Sequence, residues 1–285
     1  MKPHERLQML EDILICPKTQ SRITIDTANS IAKVEGSDLS YPIKEGIIDF
    51  LPDTKDRITK AYDSCASSYD SYMNLSSLTW KVFGTPFILL VWGFLDDKVF
   101  INMPLTPIQD DFNGVLLDVP VGTGAFTLDK YRKLNNANII AIDYSLAMLQ
   151  QAQQRYAENG IRNVTFIRGD VGNLPIQQAC IDMCLSMAGF HAFPNKDQGL
   201  DEIARVLKQN AIFSGSFYIK GKRLLTDLFV RQIFCRIGFF TAPFWDEHEC
   251  LSKFGEQFNI HDTTNIKSGF CFEMSKKQAV SVEPR

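Results

Sequence analysis

The sequence predicts an α/β protein with a doubly wound, mostly parallel sheet, and three observations carry that prediction. After Gly114, short apolar runs alternate with amphipathic stretches, the pattern of strands joined by crossover helices. The first run reads Leu116-Leu117-Asp118-Val119-Pro120-Val121-Gly122-Thr123-Gly124, a buried strand that ends in a carboxylate and a glycine turn. Near the end, residues 259–263 and 269–274 read as strands a few residues apart, so they should pair as a hairpin.

Three regions follow from pattern. Residues 1–52 form a small β-rich module, with strands expected over 22–26, 30–35, 39–43 and 46–50; the alternation in Ile23-Thr24-Ile25 and the Gly36-Ser37-Asp38 turn support them. Residues 53–111 read as an irregular helical cap with Tyr62, Tyr69, Tyr72, Trp80 and Trp92 as anchors, closed by Pro104 and Pro107. Residues 112–285 hold the parallel sheet, with strands over 115–119, 139–142, 164–167, 181–186 and 211–218 and helices over 145–158 and 197–207.

Composition narrows the function classes. The chain is 45% hydrophobic and 22% charged with net charge −3 and pI near 5.8, so no bulk basic field advertises nucleic-acid binding. Seven cysteines, an odd number with no CxxC pair, read as reduced thiols of a cytoplasmic protein. The first eleven residues lack the apolar core of a signal peptide. The most apolar run, 82–95, is too short to span a bilayer and is interrupted by Gly84, Pro86 and Gly93, so no transmembrane segment is expected.

The glycine turn carries the chemistry. Such a turn lets backbone approach a ligand closely, and the helix that opens after it offers N–H groups to an anion. Asp143 ends the next strand, 19 residues after Gly124, where an acid accepts hydrogen bonds from ribose hydroxyls. Dinucleotide binding uses both devices, but its third glycine or alanine would fall at Thr127.

The segment Asn163-Val164-Thr165-Phe166-Ile167-Arg168-Gly169-Asp170-Val171 continues the series, followed by Leu174-Pro175-Ile176, Ile181-Asp182-Met183-Cys184 and the run Glu202 to Lys208. In this order the motifs resemble class I S-adenosylmethionine-dependent methyltransferases of the methyltransferase-11 type. That resemblance implies a Rossmann-like, seven-stranded methyltransferase sheet and S-adenosylmethionine as cofactor. It places cofactor contacts at Asp118, Val119, Gly122, Thr123, Gly124, Asp143, Tyr144, Met148, Asp170, Val171 and Ser186. In the family, an Asp at the position of Asp170 meets the adenine amine and the next backbone N–H, here Val171, meets the ring. One departure is Pro120, where the family has glycine; proline has no N–H to offer there. The first region, through Leu14-Ile15-Cys16-Pro17 and Tyr41-Pro42-Ile43-Lys44-Glu45-Gly46-Ile47, resembles a Trm112-like or zinc-ribbon module. Thr19 stands where its second cysteine would be, so no metal is expected.

Methyl transfer needs alignment above all, so a base is optional. His191, in Gly189-Phe190-His191-Ala192-Phe193-Pro194, is the candidate catalytic base; its bland reading is a loop-fixing histidine. After the fourth strand there is no Asn/Asp-Pro-Pro-Tyr sequence and no Pro-Cys nucleophile, which disfavours adenine or cytosine methylation. Aromatic residues concentrate in 82–95 and 222–245 and mark an apolar acceptor pocket, with Phe83, Phe87, Trp92, Phe190, Phe229, Phe244 and Trp245 as its walls. The expected partner is a small, partly hydrophobic acceptor, methylated at O, N or C, in preference to RNA. A ribosomal-RNA guanine methyltransferase and a non-catalytic cofactor-binding protein are the alternatives.

Overall fold

In the computed structural model, residues 9–52 and 98–278 are described. The helical cap expected before residue 98, with Phe83, Phe87 and Trp92, lies outside the described residues. The described chain runs β1 (Ile23–Asp26), β2 (Ile31–Val34), β3 (Ser40–Lys44), β4 (Ile47–Asp49), α1 (Lys98–Leu105), β5 (Val115–Asp118), α2 (Leu128–Tyr131), β6 (Asn138–Asp143), α3 (Leu146–Glu158) and β7 (Val164–Arg168). It continues with β8 (Ile181–Met187), α4 (Lys196–Val206), β9 (Leu207–Tyr218), α5 (Leu224–Phe229), a π-helical turn (Val230–Phe234), α6 (Cys235–Ile237), α7 (Glu247–Gln257), β10 (Phe258–Ile266) and β11 (Gly269–Lys276).

All eleven strands join one sheet in the order β1-β2-β3-β4-β7-β6-β5-β8-β9-β11-β10. Strands β4, β7, β6, β5, β8 and β9 are parallel neighbours, and the hairpin β10–β11 adds antiparallel to β9. The expected hairpin is therefore present, and each expected strand exists to within a few residues. The expected seven-stranded sheet is not: β4 pairs in parallel with β7, Ile47 opposite Phe166, and brings β1–β3 with it.

Physical continuity, not sequence distance, decides this. Leu14, Cys16, Ile23, Tyr41 and Phe50 pack in the same core as Leu117, Ile140, Ile167 and Phe213. The N-terminal strands thus extend the sheet and share its core. A buried ion pair pins the join. Arg168 at the end of β7 lies 3.4 Å from Asp49 and donates to the carbonyls of Leu51 (2.9 Å) and Tyr144 (3.2 Å). The two sides of the sheet are filled by separate apolar clusters, and every residue of β5 is buried. Continuous burial is what a central parallel strand needs, and it explains the unbroken apolar run of that segment.

Asp49→Ala leaves the Arg168 guanidinium buried without its carboxylate, and loss of one partner of a buried pair costs about 3–5 kcal/mol. A loss of that order in unfolding free energy, read from a lowered urea midpoint, is expected; an unchanged midpoint would show that the strand join does not depend on this pair.

Candidate functional site

Strands β5 and β6 end side by side, with Asp118 opposite Ala141 and Asp143 one turn of the ladder beyond. The chain leaving β5 is clipped on both sides: the Val119 N–H donates to Leu185 O of β8 and the Val121 N–H to Ile142 O of β6, each at 3.0 Å. Next, the Gly122 N–H donates to Asp143 Oδ2 at 2.8 Å, and the Ser145 N–H to Oδ1 at 2.9 Å. Asp143 therefore organises both loops at the strand ends.

Gly122 and Gly124 are glycines for different reasons. Both have positive φ, +57° and +70°, which L side chains rarely adopt. A Cβ on Gly124 would also sit 2.6 Å from the Tyr156 ring, whereas a Cβ on Gly122 meets nothing within 4 Å. The outer side of the turn is open at Gly122 and plugged beneath Gly124.

The plug is a buried polar cluster. Tyr131 donates to Asp118 Oδ2 at 2.8 Å, and the Tyr156 hydroxyl lies 2.6 Å from Thr127 Oγ1. Arg155 donates to the Thr123 carbonyl. Burial pushes the Asp118 carboxyl up to about 7, against the lowering effect of the Tyr131 hydrogen bond, with the Asp143 charge raising it further. Sequence reasoning missed Tyr131, Tyr156 and Arg155, whose helix positions carry no motif. Thr127, noted only as a mismatch to a dinucleotide turn, is part of this support.

Other sequence-predicted residues fall at the same edge of the sheet. Asp170 follows β7 and accepts the Gly172 N–H at Oδ1 (2.8 Å), capping the short 3₁₀ turn Val171–Asn173. Met148 and Val171 are buried, and Tyr144 holds Arg168 through its carbonyl. Ser186, next to the end of strand β8, is fully buried, and its hydroxyl has no hydrogen-bond partner among the described residues. Pro120 is accommodated because Gly189 faces it: a Cβ there would lie 2.5 Å from both Pro120 Cδ and Ser186 Oγ.

His191 is buried, its ring 3.9 Å from that of Phe240. Its Nδ1 accepts the Tyr218 N–H at 3.2 Å, so the ring proton sits on Nε2. Burial, aided by the Lys196 charge, pushes its pKa down to about 3. The ring is thus a neutral hydrogen-bond donor, and the geometry does not support the expected base. Lys196 donates to the carbonyls of Phe193 (3.2 Å) and Thr241 (2.6 Å), stapling the loop after β8 to the chain after α6; burial lowers its pKa to about 8.

The expected acceptor walls divide. Phe190 has no exposed surface and is ringed by Phe193, Phe213, Phe217, Trp245, Phe254 and Phe272. Phe190 and Trp245 are core residues, a correction to the sequence reading. Phe244 packs with Tyr218 and Val230 in a separate cluster beside Phe234 and Phe240, and Phe229 contacts Phe234. Among the described residues no three His, Cys, Asp or Glu side chains group as a metal site, and Cys16 lies beside Tyr41 Oη at 3.4 Å. No helix among them is long and apolar enough to cross a membrane.

Residues 116–210, which span the glycine turn, Asp143, Asp170 and Ser186, match the family model described as "Methyltransferase domain". This stretch, about a third of the chain, is similar to a methyltransferase domain. An uncharacterised chloroplastic methyltransferase of Arabidopsis thaliana is 24% identical over 166 residues, covering 53% of this chain and 47% of that protein. Demethylmenaquinone methyltransferase of Lactiplantibacillus plantarum is 28% identical over 152 residues, covering 53% and 57%. The chain thus spans about half the length of these relatives. Among solved structures, the complex of the Haloferax volcanii Trm112 activator with a putative methyltransferase matches with TM-score 0.57 at 15% identity, covering 76% of this chain and 98% of that one; it speaks to fold alone.

S-adenosylmethionine is the cofactor that the sequence resemblance implies. The residues present fit it: an open face above Gly122, a carboxylate at Asp143 that holds the tip of the turn, and a buried hydroxyl at Ser186 without a hydrogen-bond partner among the described residues.

The Asp118 shift has a consequence for stability. A carboxyl whose folded pKa is raised above about 3.9 binds more protons in the fold than in the unfolded chain. Stability is therefore expected to fall as pH rises from about 4 to about 7, by up to about 1.4 kcal/mol per unit. Asp118→Asn, which can still accept from Tyr131, should flatten that slope in urea unfolding; an equal slope in wild type and variant would contradict the assignment.

Proposed function

We propose that this protein is an S-adenosylmethionine-dependent methyltransferase acting on a small, partly hydrophobic acceptor, with a quinone-type ring as the best-supported class. The observation that carries the reading is the open glycine turn tied to Asp143. In this reading Asp143 accepts from the ribose hydroxyls, and Asp170 with the Val171 N–H holds the adenine. Val119, Thr123, Tyr144 and Met148 wall the cofactor, and the N–H groups beyond Gly122 face its carboxylate. When bound, the cofactor supplies a methyl group on a sulfonium, ready for in-line displacement. The protein's task is then alignment and exclusion of water.

The acceptor side would be formed by Phe244, Phe229 and Phe240. An apolar wall of this kind favours a compact lipophilic molecule, and the demethylmenaquinone methyltransferase relative points the same way. A polyanion is disfavoured by net charge −3, because phosphate contacts need lysine and arginine. His191, neutral with its proton on Nε2, would act as a donor that orients a hydroxyl or carbonyl of the acceptor.

Incubation with cofactor labelled in its methyl group, demethylmenaquinol in one vessel and ribosomal RNA in another, tests the proposal. Label is expected in the organic phase. Label confined to RNA would overturn the acceptor class, and label in neither would leave the protein without the proposed activity on these substrates.

A further inference from the structure

The continuous helical stretch from α5 through the π turn to α6 has two unlike faces. Inward, Thr226 and Val230 are buried, and Phe234 and Cys235 pack against the cluster of Tyr218 and Phe244. Outward stand Leu224, Leu225, Leu228, Ile233 and Ile237, with Leu224 83% exposed. Five of the seven exposed large apolar side chains among the described residues therefore sit on this one element. Single exposed leucines are ordinary, but a cluster of this kind marks an interaction surface.

Charge identifies the partner. Residues 222–237 carry Lys222, Arg223, Arg231 and Arg236 against one acid, Asp227, a net +3 in a chain of net −3. Asp227 is turned inward: the Tyr218 hydroxyl donates to one oxygen at 2.7 Å and the Gly221 N–H to the other at 2.9 Å. No carboxylate of the stretch is thus presented with its leucines. Lys222 is paired with Glu247, and Arg231 and Arg236 stand exposed on the stretch beside the leucines.

We propose that residues 222–237 are a docking surface for an anionic lipid bilayer, lying in the headgroup plane with Leu224, Leu225, Leu228, Ile233 and Ile237 inserted. Exposed apolar side chains interleaved with arginine are what such an interface takes, while the acidic remainder of the protein is repelled and fixes the orientation. The underside of the stretch reaches the site through Phe234, Phe240 and His191, whose rings follow one another at 4.9 and 3.9 Å. Docking therefore sets the ends of β8 and β9 beside the lipid phase. The surface stands on its own observations, and it also gives the lipophilic acceptor proposed above a route from the bilayer.

Co-sedimentation of the full chain with vesicles tests it, using phosphatidylcholine alone and an equal mixture with phosphatidylglycerol. Binding to the anionic vesicles that weakens with added salt is expected. The triple variant Leu224→Ser, Leu225→Ser, Leu228→Ser should lose about tenfold or more in affinity. The double variant Arg231→Gln, Arg236→Gln should lose both affinity and salt dependence. Both are expected to bind S-adenosylhomocysteine as wild type does, which separates a docking failure from a failure of the cofactor site. Wild type that stays in solution with both vesicles, or variants that bind like wild type, would overturn the proposal. So would a dimer in sedimentation velocity that the triple variant splits while vesicles remain unbound, since the face would then join two copies.

Discussion

Everything at the candidate site rests on a glycine turn held from below by buried hydroxyls. Asp118 ends the central strand fully buried, and Tyr131 donates to it. Tyr156, bonded to Thr127, fills the space directly under Gly124. A side chain at Gly124 would collide with that ring, so the turn can take only one height above the sheet. The backbone clips to Leu185 and Ile142 then fix its direction, and Asp143 fixes its tip. A ligand that approaches Gly122 meets a surface already in place, with little ordering left to be done on binding.

The same arrangement explains why the site tolerates proline at residue 120. Pro120 removes one donor from the turn, but Gly189 leaves room for its ring and the neighbouring donors keep their partners. Beyond the strand ends, Lys196 and His191 tie the loop after β8 to the chain after α6, so the aromatic cluster around Tyr218 and Phe244 is attached to the sheet and not merely laid on it.

Much of this was legible in sequence because buried parallel strands must be continuously apolar, and because positive φ at a turn selects glycine. The five strands after residue 114, the closing hairpin, and the positions of Gly122, Gly124 and Asp143 follow from those two rules. The pairing of β4 with β7 does not: an edge is chosen by backbone register and shared core, and residues 47–49 read equally well as part of a small separate sheet. Aromatic content misled for a related reason. Phe190 and Trp245 are as apolar as any pocket wall, and only packing places them in the core. His191 looked like a base because composition cannot tell which ring nitrogen is already bonded; the Tyr218 N–H settles that. The supporting tyrosines were invisible because a buried hydroxyl pair leaves no spacing signature.

Calorimetric titration of S-adenosylhomocysteine and of NAD into wild type and Asp143→Ala tests the central claim most directly. Asp143→Ala removes a charged acceptor from the ligand, a loss of about 1.5–3 kcal/mol or roughly 10- to 150-fold in affinity. Tight binding of S-adenosylhomocysteine to wild type, that fall in the variant, and no binding of NAD to either are expected. Binding of NAD without a response to S-adenosylhomocysteine, or equal affinity of wild type and variant for it, would contradict the account.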